Sequence, residues 1–164
     1  MAERLKKALP VSEIHGLKGR ADGADVIFTE TMAHVTGLFR AGRPIIGVCA
    51  TGILIRALAG LLADKRAEPA VVAVAEDGSS IVPLLGGHRG ANRLALAIAE
   101  VTGGHAAVTT AGDVGLGLAL DDPPPGWRVA NVGAAKAITQ TLLAGGPVSQ
   151  ERGFVLHSDE GDWG

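Results

Sequence analysis

The chain has 164 residues, 47% of them hydrophobic and 20% charged, which suits a globular core and excludes a disordered chain. Its 15 Lys and Arg residues are balanced by 17 Asp and Glu residues and form no basic stripe, so no nucleic-acid partner is expected. The single cysteine, Cys49, excludes an intramolecular disulfide, and no apolar stretch reaches bilayer-spanning length, so a cytoplasmic protein with no membrane partner is predicted.

The first third of the chain alternates stretches of strand character with stretches of helical character. After a basic, helix-like amino terminus, we predict a strand over 24–28, a helix over 29–39 and a strand over 44–48. The segment 53–62 is apolar on nearly every face, which predicts a helix buried on all sides rather than one at the surface.

A β-hairpin is predicted next. The two stretches 70–75 and 80–85 have strand composition, and the residues between them include the pair Asp77 and Gly78. An Asp-Gly pair between two such stretches is a signal for a tight hairpin turn. The hairpin interrupts an otherwise parallel strand pattern.

A helix and a further strand complete the main pattern. Leu94 and Ile98 recur at helical spacing before a stop at Gly103, and the β-branched stretch 105–110 follows. The alternation predicts an α/β fold: a three-layer, Rossmann-like, mostly parallel sheet with one hairpin.

The composition changes beyond this region. The proline-rich residues 121–126 can continue neither a helix nor a central strand. A helix over 131–143 and a strand around 154–156 are predicted after them, before an acidic tail. We therefore expect an α/β domain over 1–114 and a small α+β appendage over 115–164.

A glycine-rich loop at 86–92 separates the second hairpin strand from the next helix. In an open α/β sheet, ligands bind beyond strand carboxyl ends, where helix amides attract anions. His88 adds a group that titrates near neutral pH, and Arg89 adds a fixed cation that suits carboxylates. The simpler interpretation is a tight turn in which Asn92 caps the helix, and both interpretations stay open.

A second polar cluster follows the strand over 44–48. Thr51 stands at the turn into the next helix, where its hydroxyl either donates to a ligand or caps the helix. Cys49 is either a small buried hydrophobe or a nucleophile, and His88 is the only candidate for its base.

A third cluster, formed by Thr109, Thr110 and Asp113, closes the strand over 105–110. These residues either form a turn or line the same carboxyl-end cleft as the first two clusters. The other histidines are scattered, show no metal-ligand spacing and receive no role: His15, His34, His105 and His157. We predict no metal or cofactor site.

Three short motifs stand in a fixed order along 47–113. They are the CATGI turn at 49–53, the strand pair that ends in Gly-His-x-Gly-Ala-Asn at 87–92, and the Thr-Thr-Ala-x-Asp segment at 109–113, where the last strand ends. Together they resemble the amino-terminal domain of the cobalt-precorrin-5A hydrolase family.

That resemblance implies a function in cobalamin biosynthesis. Water would open the lactone of cobalt-precorrin-5A, a corrinoid precursor with many acidic side chains, and acetaldehyde would be released. Cobalt would arrive only as part of this substrate, with no separate cofactor. We assign His88 as the catalytic base. The expected substrate-binding positions are Thr51, Gly52, Arg56, Gly87, Arg89, Gly90, Asn92, Thr109, Thr110 and Asp113.

Three features depart from the family pattern. The histidine loop is one glycine shorter than the common form and, like the segment 121–131, resembles versions fused to precorrin-3B C(17)-methyltransferases. The chain begins with helix-like residues where family members begin with a strand, and a homodimer could cover the resulting sheet edge. The carboxyl-terminal hydrolase domain is absent. The alternative function is therefore a non-catalytic corrinoid-binding module that partners a precorrin methyltransferase, fused or separate.

Overall fold

A computed structural model describes residues 1–21, 23–116, 127–147 and 156–158. The helices are α1 (Ala2–Ala8), α2 (Thr31–Arg40), α3 (Thr51–Leu58), α4 (Ala91–Thr102), α5 (Ala111–Leu116) and α6 (Val132–Leu143). The strands are β1 (His15–Leu17), β2 (Val26–Phe28), β3 (Ile45–Val48), β4 (Val71–Val74), β5 (Ser80–Leu85), β6 (His105–Ala106), β7 (Trp127–Val129) and β8 (Leu156–Ser158).

The chain divides into two compact units, Met1–Ala107 and Val108–Gly164. The first unit is built on a four-stranded sheet in the order β3-β4-β5-β6, with β1 and β2 as a separate parallel pair. In the sheet, β3 is parallel to β4, β5 is antiparallel to β4, and β6 is parallel to β5. The predicted α/β fold with mostly parallel strands and one hairpin is confirmed. The domain boundary at 114 and the homodimer stay predictions.

The hairpin turn depends on Asp77 and Gly78. Gly78 has a φ of +76°, which a residue with a Cβ atom adopts only with strain. Oδ1 of Asp77 accepts hydrogen bonds from the backbone N of Ser79 at 2.9 Å and from its Oγ at 2.7 Å. These bonds lower the pKa of Asp77 below its ordinary value, so the carboxylate that shapes the turn is favoured.

Strand β4 is buried along its whole length and separates two apolar layers. Val72 and Val74 pack with α4 and with Leu5 of α1, whereas Val71 and Ala73 pack with α2 and α3. Successive residues of a strand point to opposite faces, so one strand serves both layers. The result is the predicted three-layer arrangement of helices, sheet and helices.

Helix α3 differs from the prediction of a helix buried on all sides. It ends at Leu58, and a 3₁₀ turn follows over Ala59–Leu61. Leu54 and Leu58 are each only 1% exposed, whereas Ile55 is 54% exposed. The helix packs by one face, and the apolar side chains on its other face meet solvent, as many apolar surface atoms do.

Three elements, β1, α5 and β7, were not predicted, and the strand predicted over 105–110 is much shorter than expected. β1 has three residues, too few for a visible alternation, and α5 contains two glycines, which are poor helix formers. A Cβ atom on Gly115 would lie 2.5 Å from Cδ2 of Leu143, so this glycine lets α5 approach α6. The strand predicted over 105–110 ends at Ala106.

The helix predicted over 131–143 is confirmed as α6, and Asn131 caps it by accepting a hydrogen bond from the Ala134 amide at 3.3 Å. Residues 121–126, residues 154–155 and the acidic tail lie outside the described residues. Among the helices that the structure does describe, none has the length and apolar character needed to cross a bilayer.

Two substitutions on α4 test the three-layer core. Ile98 is 1% exposed and Leu96 is 48% exposed on the same helix. We expect Ile98→Ala to lower the free energy of unfolding by about 2–5 kcal/mol, because it leaves a cavity in the packed layer. Leu96→Ala should change it by about 0.5 kcal/mol or less. Urea denaturation followed by circular dichroism measures both, and equal losses would contradict this packing.

Candidate functional site

A cavity of about 300 Å³ opens at the edge of the sheet where the parallel strands β3 and β4 end. This is the position at which open α/β sheets bind ligands. We call it the β3–β4 cavity. Its lining residues are Cys49, Ala50, Thr51, Ala73, Val74, Ala75, Glu76, Ser80 and Val82.

Three of the predicted binding residues meet at the first turn of α3, beside this cavity. Thr51 begins the helix, and the preceding residue Ala50 provides no side-chain cap. Nη1 of Arg56 donates a hydrogen bond to the Gly52 carbonyl at 3.0 Å. A Cβ atom on Gly52 would lie 3.0 Å from that same nitrogen, so glycine makes room for the guanidinium.

The glycine loop has a defined backbone geometry between β5 and α4. Gly86 and Gly90 have φ values of +74° and +87°, and a 3₁₀ turn over Gly87–Arg89 joins them. The Gly86 carbonyl accepts hydrogen bonds from the amides of Arg89 at 2.8 Å and Ala91 at 3.1 Å. These bonds close the loop directly before the first turn of α4.

Two guanidinium groups stand at the loop, that of Arg89 within it and that of Arg93 in the first turn of α4, and the second was not singled out by the sequence pattern. Arg89 is exposed, and Nη2 of Arg93 lies 3.1 Å from the position that a Cβ atom on Gly90 would take. Asn92 is 7% exposed at the start of α4. The side chain of His88 lies outside the described part of the chain, although its backbone belongs to the 3₁₀ turn.

The β3–β4 cavity and the glycine loop lie at opposite edges of the sheet. Leu85, at the end of β5, is in register with Val71, which pairs with Ile45 at the start of β3. Cys49 follows the other end of β3, about 13 Å away at 3.3 Å per residue. The expectation of one shared cleft is therefore wrong, and so is His88 as the base for Cys49. Antiparallel pairing reverses β5, so its carboxyl end meets the starts of β3 and β4.

The third predicted cluster belongs to the second unit. Thr109 and Thr110 are exposed and lie between β6 and α5, and the Thr110 carbonyl accepts a hydrogen bond from Val114 at 3.0 Å. Asp113 lies within α5, and its side chain is outside the described residues. The helix explains why this segment does not continue the strand.

Glu76 and Ser80 line the cavity, although the sequence pattern did not single them out. Glu76 lies two residues after the end of β4, and β4 is parallel to β3, so a polar residue at this position was a usable signal. Within the described ranges, no three His, Cys, Asp or Glu side chains converge on a possible metal position.

Comparison with known proteins finds a family match over the segment that contains the β3–β4 cavity and the glycine loop. Residues 33–113 match the family described as Cobalamin synthesis G N-terminal. This part of the chain belongs to that family. The cobalamin synthesis G N-terminal segment therefore contains most of α2, the four-stranded sheet, the β3–β4 cavity and the glycine loop.

Two relatives carry the same name. The chain is 38% identical over 125 residues to a cobalt-precorrin-5A hydrolase of Salmonella typhimurium, and this alignment covers 74% of the chain. It is 34% identical over 85 residues to a cobalt-precorrin-5A hydrolase of Priestia megaterium, which covers 51% of the chain. The chain spans 35% of the first relative and 23% of the second.

A solved structure is also similar to the chain. It is a cobalamin biosynthesis protein G homologue from Sulfolobus solfataricus, with 20% identity and a TM-score of 0.47. The similarity covers 87% of this chain and 41% of that one.

The structure predicts low reactivity for Cys49. Burial raises the pKa of its thiol, so the thiolate forms at a higher pH than in an open chain. The rate of iodoacetamide alkylation should therefore rise to half of its maximum at a higher pH in the folded chain than in the urea-unfolded chain. Equally fast alkylation of both forms at neutral pH would contradict a packing role for this cysteine.

The glycine loop can be tested with two neighbouring glycines. A Cβ atom on Gly86 would lie 2.5 Å from the Pro69 carbonyl oxygen, whereas one on Gly87 meets nothing within 4 Å. Gly86→Ala should cost at least about 1–3 kcal/mol of unfolding free energy, since it adds a clash to a left-handed backbone. Gly87→Ala should stay within about 0.5 kcal/mol. Denaturant unfolding measures the difference, and similar values would contradict the loop geometry.

Proposed function

We propose that this chain acts in cobalamin biosynthesis as part of a cobalt-precorrin-5A hydrolase. The supporting observation is the 38% identity over 125 residues to the Salmonella hydrolase. The family match is a second observation, and it covers the whole four-stranded sheet. Both relatives are named as hydrolases, so these comparisons do not favour the methyltransferase-partner alternative. The single cysteine suits a reducing cytoplasm, where we place the reaction.

We place substrate binding at the glycine loop rather than in the β3–β4 cavity. A corrinoid precursor with many carboxylates needs cations, and Arg89 and Arg93 both stand at the loop. Guanidinium groups suit planar carboxylates because they donate two parallel hydrogen bonds. The cavity has mostly apolar lining, and its charged lining residue, Glu76, would repel a carboxylate.

The reaction adds water to a lactone. A general base must take a proton from that water while the substrate carboxylates are held in place. In this proposal His88 is the base, because an imidazole titrates near neutral pH, and Arg89 binds a carboxylate beside it. Gly86 and Gly90 give the loop backbone its left-handed residues on either side of these two positions.

The first test is turnover of enzymatically prepared cobalt-precorrin-5A by the purified chain. Released acetaldehyde and the matching loss of tetrapyrrole mass are measured, with the Salmonella hydrolase as positive control. We expect His88→Ala to lower turnover by about 10²–10⁴-fold, the usual contribution of a general base, with substrate affinity within a few fold. Arg89→Gln should instead weaken binding by about tenfold or more, because it removes charge-assisted hydrogen bonds.

Two further variants make the outcome specific. His105→Ala removes an exposed histidine outside the loop and should leave turnover unchanged. Glu76→Gln tests the opposite edge of the sheet. Loss of turnover in Glu76→Gln with full activity in His88→Ala would move the chemistry to the β3–β4 cavity. A wild-type chain that neither binds nor converts the substrate while the Salmonella hydrolase is active would refute the proposed function.

A further inference from the structure

Two histidines that are far apart in sequence meet in the first unit. Nδ1 of His15, on β1, lies 2.8 Å from Nε2 of His34, on α2, which is hydrogen-bond distance. The Phe28 ring of β2 stacks on His34, with ring centroids 4.3 Å apart and planes inclined by 6°. Side chains of both strands of the β1–β2 ribbon therefore contact α2 through His34.

The charged groups around this pair come from five parts of the chain. Oε2 of Glu13 lies 3.6 Å from Nε2 of His15 and is hydrogen-bonded by Arg43. The carboxylate of Asp25 accepts hydrogen bonds from Nζ of Lys6 at 2.6 Å and from the Ile14 amide at 2.7 Å. On α2, the backbone N of His34 donates to the carbonyl of Glu30, an exposed residue one turn earlier.

Both nearby carboxylates are held ionised by cations of their own. The Arg43 guanidinium lowers the pKa of Glu13, and the Lys6 ammonium lowers the pKa of Asp25. Neither carboxylate is thus expected to change its charge when the pH falls from neutral to mildly acidic values. An imidazole ordinarily gains its proton in that range, so the charge of His34 is the one expected to change.

The hydrogen bond between two imidazoles limits the protons that the pair can hold. One ring must donate an N–H and the other must accept it with a lone pair. A neutral pair, or a pair with one added proton, can satisfy this arrangement. When both rings are cationic, two N–H groups face each other and two positive charges lie next to each other, so the hydrogen bond is lost.

The direction of the pH effect follows from His34. Burial and the nearby His15 lower the pKa of His34 below its ordinary value. An opened ribbon, in which His34 meets water, would therefore bind a proton more readily than the closed form. The contact is favoured above the ordinary histidine pKa of about 6.5 and weakens as the pH falls from there towards the lower pKa of the closed form.

We propose that the His15–His34 pair is a pH-sensitive latch, which holds the β1–β2 ribbon against α2 at neutral pH and releases it when both rings are protonated. Release is local, because β1 and β2 pair with each other and share no ladder with the four-stranded sheet. The latch acts on the flank of α2, whose Thr36 Oγ1 donates to the Ala57 carbonyl of α3 at 3.2 Å. It is independent of the hydrolase proposal.

Amide hydrogen exchange of the whole chain, followed by NMR, tests this latch. The Lys18 amide donates to the Phe28 carbonyl at 2.8 Å and the Val26 amide donates to the Ile14 carbonyl at 3.1 Å, so both report on the ribbon. Between about pH 7.5 and about pH 5.5, their protection should fall by up to about tenfold, which is the limit that an opened-form pKa of about 6.5 sets at pH 5.5. The amides report release because a two-stranded ribbon without a packing partner is only marginally stable. Rates are corrected for the intrinsic pH dependence of exchange. Amides of β4 should keep their protection.

Variants and a ring titration decide the cause. His34→Gln keeps a polar amide but cannot titrate, so it should abolish the pH response of the ribbon, whereas His105→Gln should preserve it. If His34→Gln does not fold, the ring protons of His34 in the unaltered chain still report the contact, and they should titrate with a pKa below the ordinary histidine value. Ribbon protection that is independent of pH, an unchanged response in His34→Gln, or a His34 ring that titrates at the ordinary histidine value would each overturn the latch.

Discussion

The antiparallel pairing of β4 with β5 is the constraint on which the rest of the first unit depends. A turn shaped by Asp77 and Gly78 reverses the chain in the middle of the sheet. The reversal sends the carboxyl end of β5 to the edge where β3 and β4 begin. It therefore separates the glycine loop from the β3–β4 cavity, and it directs α4 back across one face of the sheet.

Small aliphatic side chains make this layered arrangement possible. β4 contributes Val72 and Val74 to one layer and Val71 and Ala73 to the other, all with 2% exposure or less. On α4, Ala91 and Ala95 are almost fully buried, so the helix backbone can approach the sheet closely. With few aromatic residues in the chain, the core depends on this close approach rather than on large rings.

The two edges of the sheet differ in the charged residues that they carry. The glycine loop combines Arg89 and Arg93 with left-handed glycines, an arrangement suited to carboxylates. The β3–β4 cavity combines an apolar lining with Glu76 and a thiol whose pKa is raised by burial. Both edges lie within the segment that matches the cobalamin synthesis G N-terminal family, so each is a feature of the same domain.

Local sequence determined the elements with strong periodicity and the turns with Asp-Gly or Gly signals, which include β3, the hairpin, α4 and α6. β1 was not predicted because three residues are too few to show a strand pattern. α5 was not predicted because its glycines are poor helix formers. The composition of the glycine loop was visible, but its position was not, since strand direction depends on pairing between distant residues. The same holds for His15 and His34, 19 residues apart, which only the packing of α2 on the ribbon brings into hydrogen-bond contact.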